Sequence, residues 1–360
     1  MPIFDSPAFE GHEAVHAFND EKTGLRCIIA VHSTARGPAA GGCRMWAYDS
    51  DEAAMEDALR LSRAMSFKNA VADIDHGGGK AVVIGDSRTM KSPALFEAFG
   101  RCVEQVGGRY WTAEDVGVSP ADLAAARRTT RFVAGLDGHP AASGDPSPVT
   151  AEGVFRGLVL SAERAYGRGV DGMTVAIQGV GHVGAFLAEK LHAAGAKLVI
   201  TDVNSDALQA VAIATGAQIV STDAIFDAKA DVFSPCALGG AITAQTLPRL
   251  HGKVIAGGAN NQLATPEVGR AVFERGIVYA PDYVINGGGI INVAGEIRAL
   301  DAGVAFDPAW VEGKLSTLML TLADILDRAK AEGCPPELIA AEIARARIAQ
   351  AQGPAPAKAA

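Results

Sequence analysis

The chain has 360 residues, of which 49% are hydrophobic and 20% are charged, a balance typical of folded globular proteins. Its formal net charge is −9 and its Lys and Arg residues form no runs, which argues against nucleic acid and anionic membranes as partners. Five dispersed cysteines without a CxxC pair predict reduced thiols in the cytoplasm, and argue against a disulfide framework and a zinc site.

The length predicts two domains, because one core rarely organises so long a chain. The first fifteen residues contain acids and lack a basic segment followed by an apolar core, so we expect no signal peptide. No apolar run is long enough to span a bilayer, and we therefore expect no membrane association.

The first half alternates strand and helix patterns. The glycine-rich stretch 36–44 is predicted to be a loop, because it is too irregular for the interior of an element. Ser50 is a plausible N-cap for the helix after it, and Lys68 is placed just beyond the end of that helix. The predicted strands are 25–32, 82–84 and 110–112, and the predicted helices are 51–65 and 93–106.

Three consecutive glycines precede Lys80, and an apolar strand follows it. Glycine tolerates a positive φ, so a turn here can bring a small molecule against the main chain with an amine at its exit. An amine in a partly dry cleft beside a second cation, here Lys68, can act as a base near neutral pH. Taken alone, the pattern fits a glycine turn with a solvated lysine better. Asp115 is predicted to lie in a loop after strand 110–112.

Residues 138–150 have the Gly, Pro, Ser and Asp content of a linker, and a helix is predicted at 151–166. A strand at 174–178 then leads into a G-x-G-x-x-G motif, a helix, a second strand at 198–201 and Asp202. This order is specific for a dinucleotide-binding unit, in which the glycines approach a pyrophosphate and the acid binds ribose hydroxyls. No Lys or Arg occurs from 201 to 210, which favours NAD over NADP. The motif residues are Gly179, Val180, Gly181, His182, Val183 and Gly184.

Three further strands are predicted at 231–234, 254–256 and 277–279, each followed by a polar or glycine-rich loop. Such loops face one crevice at the carboxyl ends of an open α/β sheet. Helices are predicted at 309–331 and 337–351, the second packing back on the first domain. We therefore predict an α/β protein with a first domain at 1–145, a Rossmann domain at 146–330 and a disordered tail at 352–360.

Seven blocks together resemble the glutamate/leucine/phenylalanine/valine dehydrogenases, and the leucine type within them, from about residue 10 to about residue 350. The blocks are 37–46, 67–70, 77–80, 112–117, 234–239, 260–263 and 280–286. The resemblance implies an N-terminal substrate domain of the dimerisation type, a Rossmann domain and a cleft between them. It also implies a homo-oligomer that reversibly deaminates an L-amino acid to a 2-oxo acid and ammonium, with NAD taking the hydride.

The resemblance assigns roles to individual residues. Lys80 matches the base that activates water, and Asp115 the carboxylate that exchanges protons with the substrate nitrogen. Lys68 matches the lysine that binds the substrate carboxylate, with help from Asn261. Structural roles remain open, with Lys68 as a helix-end cation and Asp115 as a loop cap. The cofactor contacts implied outside the glycine motif are Thr150, beside the carboxamide, and Cys236, Ala237, Asn260 and Asn286.

The expected side-chain pocket is apolar and consists of Ala40, Gly41, Ala113, Ile290 and Val293. The glutamate members of the family carry lysine and serine at the positions of Ala40 and Val293. A side-chain carboxylate would therefore be buried here without a partner, so we expect an apolar substrate. The leucine members typically carry leucine at position 40, so the pocket could be wider here, and phenylalanine remains an alternative. A catalytically silent NAD-binding protein is the other alternative, which the intact lysine–lysine–aspartate set disfavours.

Overall fold

The computed structural model describes residues 3–352, so nearly all of the predicted tail lies outside the described residues. The described chain divides into two compact units. Unit 1 comprises the residues up to Asp145 together with Ile290–Lys314 and 343–352, and unit 2 comprises Pro146–Gly289 and Leu315–Glu342. Residues 290–314, assigned to the Rossmann domain from the sequence, thus group with unit 1.

Unit 1 is built on a five-stranded sheet of order β1-β2-β4-β3-β5. The pairs β1/β2 and β2/β4 are antiparallel, whereas β3 is parallel to both β4 and β5. The strands are β1 (Ala14–Asp20), β2 (Leu25–Ser33), β3 (Ala39–Trp46), β4 (Gly77–Ile84) and β5 (Tyr110–Glu114). The helices within the first 145 residues are α1 (Asp51–Val71), α2 (Pro93–Gln105) and α3 (Pro120–Arg127).

The two faces of this sheet are covered by different helices. One face packs on α2 and α3 through a large core that includes Phe96, Phe99 and Tyr110. On the other face, α1 packs over β2 and β4, with Leu59 against Val82 in one apolar cluster. Helix α1 begins where the sequence predicts, because the Ser50 side chain accepts a hydrogen bond from the Ala53 N–H at 3.1 Å.

Most of the glycine-rich segments of unit 1 are strands. The predicted loop at 36–44 holds only for 36–38 and is wrong from Ala39 on, where β3 begins, and the predicted turn at 77–79 is wrong. Gly77, Gly78 and Gly79 lie inside β4 without a positive φ. They are glycines because neighbouring backbone comes too close for a side chain: a Cβ on Gly78 would overlap Ser66 of α1, and one on Gly41 would overlap the Gly79 carbonyl. The prediction that α1 ends before Lys68 is also wrong, since the helix continues to Val71.

Unit 2 has a six-stranded, fully parallel sheet of order β11-β10-β9-β6-β7-β8, which confirms the predicted Rossmann-type domain. Its strands are β6 (Thr174–Gln178), β7 (Lys197–Thr201), β8 (Gln218–Ile219), β9 (Val232–Pro235), β10 (Val254–Ile255) and β11 (Val278–Tyr279). Its complete helices are α4 (Ser147–Tyr166), α5 (His182–Ala193), α6 (Ser205–Thr215), α7 (Pro266–Glu274) and α8 (Asp282–Ile285). The predicted linker therefore ends at Asp145 or Pro146 rather than at Thr150.

Three long helices contribute residues to both units: α9 (Gly288–Ala302), α10 (Pro308–Glu332) and α11 (Pro336–Gln352). The sequence predicts α10 and α11 but not α9, whose glycine-rich start we expected to be a loop. In unit 1, α9 packs on the sheet through Ile297, which shares a cluster with Trp111 of β5. Arg347 of α11 donates hydrogen bonds to the Ala70 and Val71 carbonyls, both at 2.9 Å. Within residues 3–352, no helix is long and apolar enough to cross a membrane.

Candidate active site

An ion pair between a buried lysine and a partly buried aspartate joins two segments of unit 1. Lys80 lies on β4 and is only 5% exposed, and its Nζ is 2.6 Å from Oδ2 of Asp115, which directly follows β5. Arg44 of β3 donates to the same carboxylate oxygen at 3.2 Å. Burial raises the pKa of Asp115, but the charges of Lys80 and Arg44 outweigh burial and hold that pKa at about 2. The carboxylate is therefore ionised at neutral pH, and the immediate partner of Lys80 is an anion.

The charge network continues from Arg44 into α1, a feature that the sequence analysis missed. Arg44 Nη1 donates to Asp57 at 2.9 Å, and the Tyr48 hydroxyl donates to the same Asp57 oxygen at 2.6 Å. Arg44 thus bridges two carboxylates and fixes the one that contacts Lys80. In the sequence, the polar Arg44 between the apolar Cys43 and Met45 indicates only that Arg44 points to the opposite face of the strand. Its pairing with Asp57 depends on how α1 packs on the sheet, which the sequence does not show.

The end of α1 that carries Lys68 is tied directly to the strand that carries Lys80. Asn69 is fully buried, and its side-chain amide donates to the carbonyls of Gly77 at 2.5 Å and Ala40 at 3.3 Å. The absence of a side chain on Gly78 permits the close approach of α1 at Ser66. The glycines before Lys80 thus seat the last turns of α1, including the partly buried Lys68, on β4.

Three of the residues expected around the substrate side chain, Ala40, Ala113 and Val293, lie on one face of the sheet. Ala40 pairs with Trp111 and Gly42 pairs with Ala113, so Trp111 and Ala113 project on the side that α9 covers. Ile290 and Val293 of α9 are partly exposed, and Val293 packs against the cluster that contains Ala40. Ala40 itself is fully buried, as is Gly41, so Ala40 supports this apolar wall and does not form its surface. No lysine or serine stands at Ala40 or Val293, as the sequence analysis noted.

Glu296, another residue that the sequence analysis missed, holds α9 to the loop that runs from α3 to α4. It is fully buried, and Oε1 accepts hydrogen bonds from the N–H groups of Gly135 at 2.9 Å and Leu136 at 3.0 Å. Oε2 accepts from the N–H of Ser143 at 3.0 Å and from its hydroxyl at 2.7 Å. Glu296 is the one polar residue between Val293 and Ile297, and this is the only signal for its role in the sequence.

In unit 2, the glycine motif has the backbone that a dinucleotide loop requires. Gly179 has φ +95°, and a Cβ there would overlap the backbone of Ala237, while a Cβ on Gly184 would overlap the Gly179 carbonyl. Gly181, the N-cap of α5, has open space around the position of its missing side chain. Gly179 and Gly184 are thus glycines because neighbouring backbone leaves no space for a side chain. Gly181 leaves room for a pyrophosphate at the N-terminus of α5. His182 is exposed and Val183 partly exposed in the first turn of α5.

Asp202 follows β7 and links the second strand to the glycine loop. Its Oδ2 accepts a hydrogen bond from the Val180 N–H at 2.7 Å, and its Oδ1 accepts one from the Asn204 N–H at 2.8 Å. The next side chain, Val203, is 93% exposed. The acid that the sequence predicts to bind ribose is therefore adjacent to the loop predicted to bind phosphate.

The other predicted cofactor residues gather in loops of unit 2. The Asn286 amide donates to Asn260 Oδ1 at 2.8 Å, and among the described residues its own buried Oδ1 has no hydrogen-bond partner. Such an orphaned acceptor suits the amide of a nicotinamide, so the residues present fit NAD. The Cys236 thiol accepts from the Gly258 N–H at 3.3 Å, and burial raises its pKa. Thr150, in the first turn of α4, donates to the Pro146 carbonyl at 2.9 Å.

Asn261 and the question of metals complete the set of predicted site features. Asn261 adopts a left-handed conformation with φ 51°, and its carbonyl accepts a hydrogen bond from the Gly240 N–H at 2.6 Å. It belongs to unit 2 and Lys68 to unit 1, so the shared role in carboxylate binding stays a prediction. Within residues 3–352, no group of three or more His, Cys, Asp or Glu side chains could hold a metal ion.

The class of protein to which this two-unit chain belongs follows from comparison with known families. The dimerisation domain of the Glu/Leu/Phe/Val dehydrogenases matches residues 12–132, and the Glutamate/Leucine/Phenylalanine/Valine dehydrogenase domain matches residues 200–354. The chain belongs to this family, which confirms the resemblance inferred from its motifs.

Individual relatives agree over nearly the whole chain. Leucine dehydrogenase of Bacillus cereus is 44% identical over 350 residues, covering 97% of this chain and 94% of the relative. Valine dehydrogenase of Streptomyces coelicolor is 44% identical over 346 residues, covering 95% of this chain and 93% of the relative. The crystal structure of L-tryptophan dehydrogenase from Nostoc punctiforme matches with a TM-score of 0.82 and 36% identity, covering 95% of this chain and 97% of that one.

Proposed function

We propose that the protein catalyses the reversible, NAD-dependent oxidative deamination of an L-amino acid with a branched aliphatic side chain. The observation that carries the proposal is the ion pair between the buried Lys80 and Asp115, which lies directly after the strand that presents the uncharged Ala113. The similarity of the whole chain to leucine and valine dehydrogenases supports an aliphatic substrate. The similarity to a tryptophan dehydrogenase keeps an aromatic substrate as the second candidate.

In the deamination direction, bound NAD supplies the acceptor for the hydride that leaves the substrate Cα. Positive charge develops on the substrate nitrogen, and the Asp115 carboxylate, kept ionised by Lys80 and Arg44, stabilises it and takes a proton from that nitrogen. For this step Lys80 first gives up its proton, and the resulting amine accepts a proton from the water that attacks the imino carbon. Asp115 then returns its proton to the amino group of the carbinolamine, and the C–N bond breaks to release ammonia. Lys80, having passed its first proton to solvent, accepts the hydroxyl proton as the C=O bond of the 2-oxo acid forms. Lys68 binds the substrate carboxylate throughout.

We infer NAD as the cofactor from the nucleotide-binding residues of unit 2. Gly179–Gly184 would hold the pyrophosphate and Asp202 the ribose hydroxyls, while Asn286 would contact the carboxamide. A 2′-phosphate would meet the Asp202 carboxylate, and no basic side chain lies from 201 to 210 to offset the repulsion. We also propose a homo-oligomer, because the N-terminal match is to a dimerisation domain. All five cysteines, which lie in the described part of the chain, are free, as expected for a cytoplasmic enzyme.

A substrate panel tests the proposal. NADH formation is measured with L-leucine, L-isoleucine, L-valine, L-phenylalanine, L-tryptophan and L-glutamate, with D-leucine as the control and with NADP replacing NAD for leucine. We expect the aliphatic L-amino acids to react with the highest kcat/KM and the branched 2-oxo acids to consume NADH when ammonium is present. Preference for glutamate or for NADP, or the absence of turnover with all six, would contradict the proposal.

A further inference from the structure

The short side chain of Ala40 packs beside a larger residue on the neighbouring strand. Ala40 of β3 and Trp111 of β5 are register partners, and parallel partners project on the same face of the sheet. Ala40 is fully buried and Trp111 is 4% exposed, and both belong to one apolar cluster with Ala134 and Ile297. The space beside the short Ala40 side chain is therefore filled by protein.

Trp111 also lines a cavity that Ala40 does not reach. About 510 Å³ of space in unit 1 is lined by Trp111 and Ile297 together with Phe132, Arg298 and Trp310. Ala40 and Val293 do not line this cavity, although both pack in the cluster of Trp111 and Ile297. The Trp111 indole thus separates the wall of the expected substrate pocket from a ready-made cavity.

We propose that Trp111 is a specificity-determining residue: its indole takes up the space that alanine at position 40 leaves, and so keeps the pocket at the size of a branched aliphatic side chain. The proposal rests on the proposed amino-acid dehydrogenase function. The pocket is then not widened by the small residue at position 40, because the volume missing there is supplied from the neighbouring strand.

Shortening Trp111 should open the wall into the cavity. Trp111→Leu removes most of the indole and leaves space in the pocket wall. A substrate with a longer side chain can then extend into that space. A change of this size in an apolar pocket alters the ratio of kcat/KM values for a large and a small side chain by at least about tenfold. We expect kcat/KM for L-phenylalanine relative to L-valine to rise at least about tenfold, while the KM for NAD remains within twofold.

The reciprocal variant supplies a rescue. Ala40→Leu in the otherwise unchanged chain should overpack against Trp111 and lower the melting temperature. The same substitution in the Trp111→Leu background refills the wall from the other strand, and should return the phenylalanine-to-valine ratio to within about threefold of the original. Trp310→Leu is the matched control, because Trp310 lines the cavity and does not belong to the cluster of Ala40.

The wild-type substrate panel separates the two levels of inference. Absence of amino-acid oxidation in the wild type overturns the proposed function, and this proposal with it. If the wild type is active, a folded Trp111→Leu with an unchanged ratio, or an equal change in Trp310→Leu, overturns the role of Trp111 alone. Should Trp111→Leu fail to fold, Trp111→Phe is measured in its place, with the same direction expected and an unchanged ratio again contradicting the proposal.

Discussion

Glu296 offers the sharpest test of how α9 is held in unit 1. In Glu296→Gln, one side-chain oxygen remains to accept two hydrogen bonds, and an NH₂ group replaces the other oxygen. At least one backbone N–H among Gly135, Leu136 and Ser143 then loses its buried partner. An unsatisfied buried N–H costs about 1–3 kcal/mol, so the opening of this loop should become roughly 5- to 140-fold more frequent.

Amide hydrogen exchange measures this opening directly. We expect faster exchange at residues 135, 136 and 143 in Glu296→Gln, and a larger increase in Glu296→Ala, which leaves all four donors unsatisfied and adds a cavity. Asp301→Asn, on the same helix, is the matched control: its 3.7 Å ion pair with Arg131 is solvent-exposed and contributes about 0–1 kcal/mol. Exchange rates in Glu296→Gln within twofold of those in the control would refute the reasoning.

Three further predictions follow from the site. Asp202→Ser combined with Val203→Arg should move the preference from NAD toward NADP, measured as the ratio of kcat/KM values; a wild type that uses both cofactors equally contradicts the role of Asp202. Lys68→Ser should raise KM for the amino acid at least about tenfold with little change in melting temperature; outright unfolding would make Lys68 structural. Burial and the neighbouring His12 lower the pKa of His32 to about 4. As pH falls, the unfolded chain therefore binds the imidazole proton at a higher pH than the folded chain does. The free energy of unfolding drops by up to about 3 kcal/mol between pH 6.5 and pH 4. His32→Gln should flatten this acid-induced drop in melting temperature, and an unchanged drop would contradict the assignment.

The sequence predicts the Rossmann-type unit well because that unit is determined by local signals. The strand before Gly179, the helix after it and the acid at the end of β7 all lie within about thirty residues, and each has a local pattern. Lys80 and Asp115 were selected from the sequence through the family resemblance, and the ion pair between them was not expected.

The elements that the sequence analysis missed depend on contacts between distant segments. The glycines of β3 and β4 look like loops, because their role is to admit α1 and neighbouring strands, and no local pattern reports that. Helix α9 begins with Gly288 and Gly289, which suit a turn equally well. Arg44 and Glu296 acquire their roles from Asp57 and from the backbone near Ser143, and these partners are identified only when the chain has folded.

The direct test of the proposed chemistry is the rate of L-leucine oxidation by Lys80→Ala, measured beside NAD binding by the same protein. Lys91→Ala is the control, because Lys91 pairs with Asp122 and has no role in the proposed reaction. Positioned acid–base groups contribute about a hundred- to ten-thousand-fold to rate. We predict a loss of at least that size in Lys80→Ala, with NAD affinity retained and near-normal turnover in Lys91→Ala. Near-normal turnover in a folded Lys80→Ala protein would contradict the assignment of Lys80 as the catalytic base.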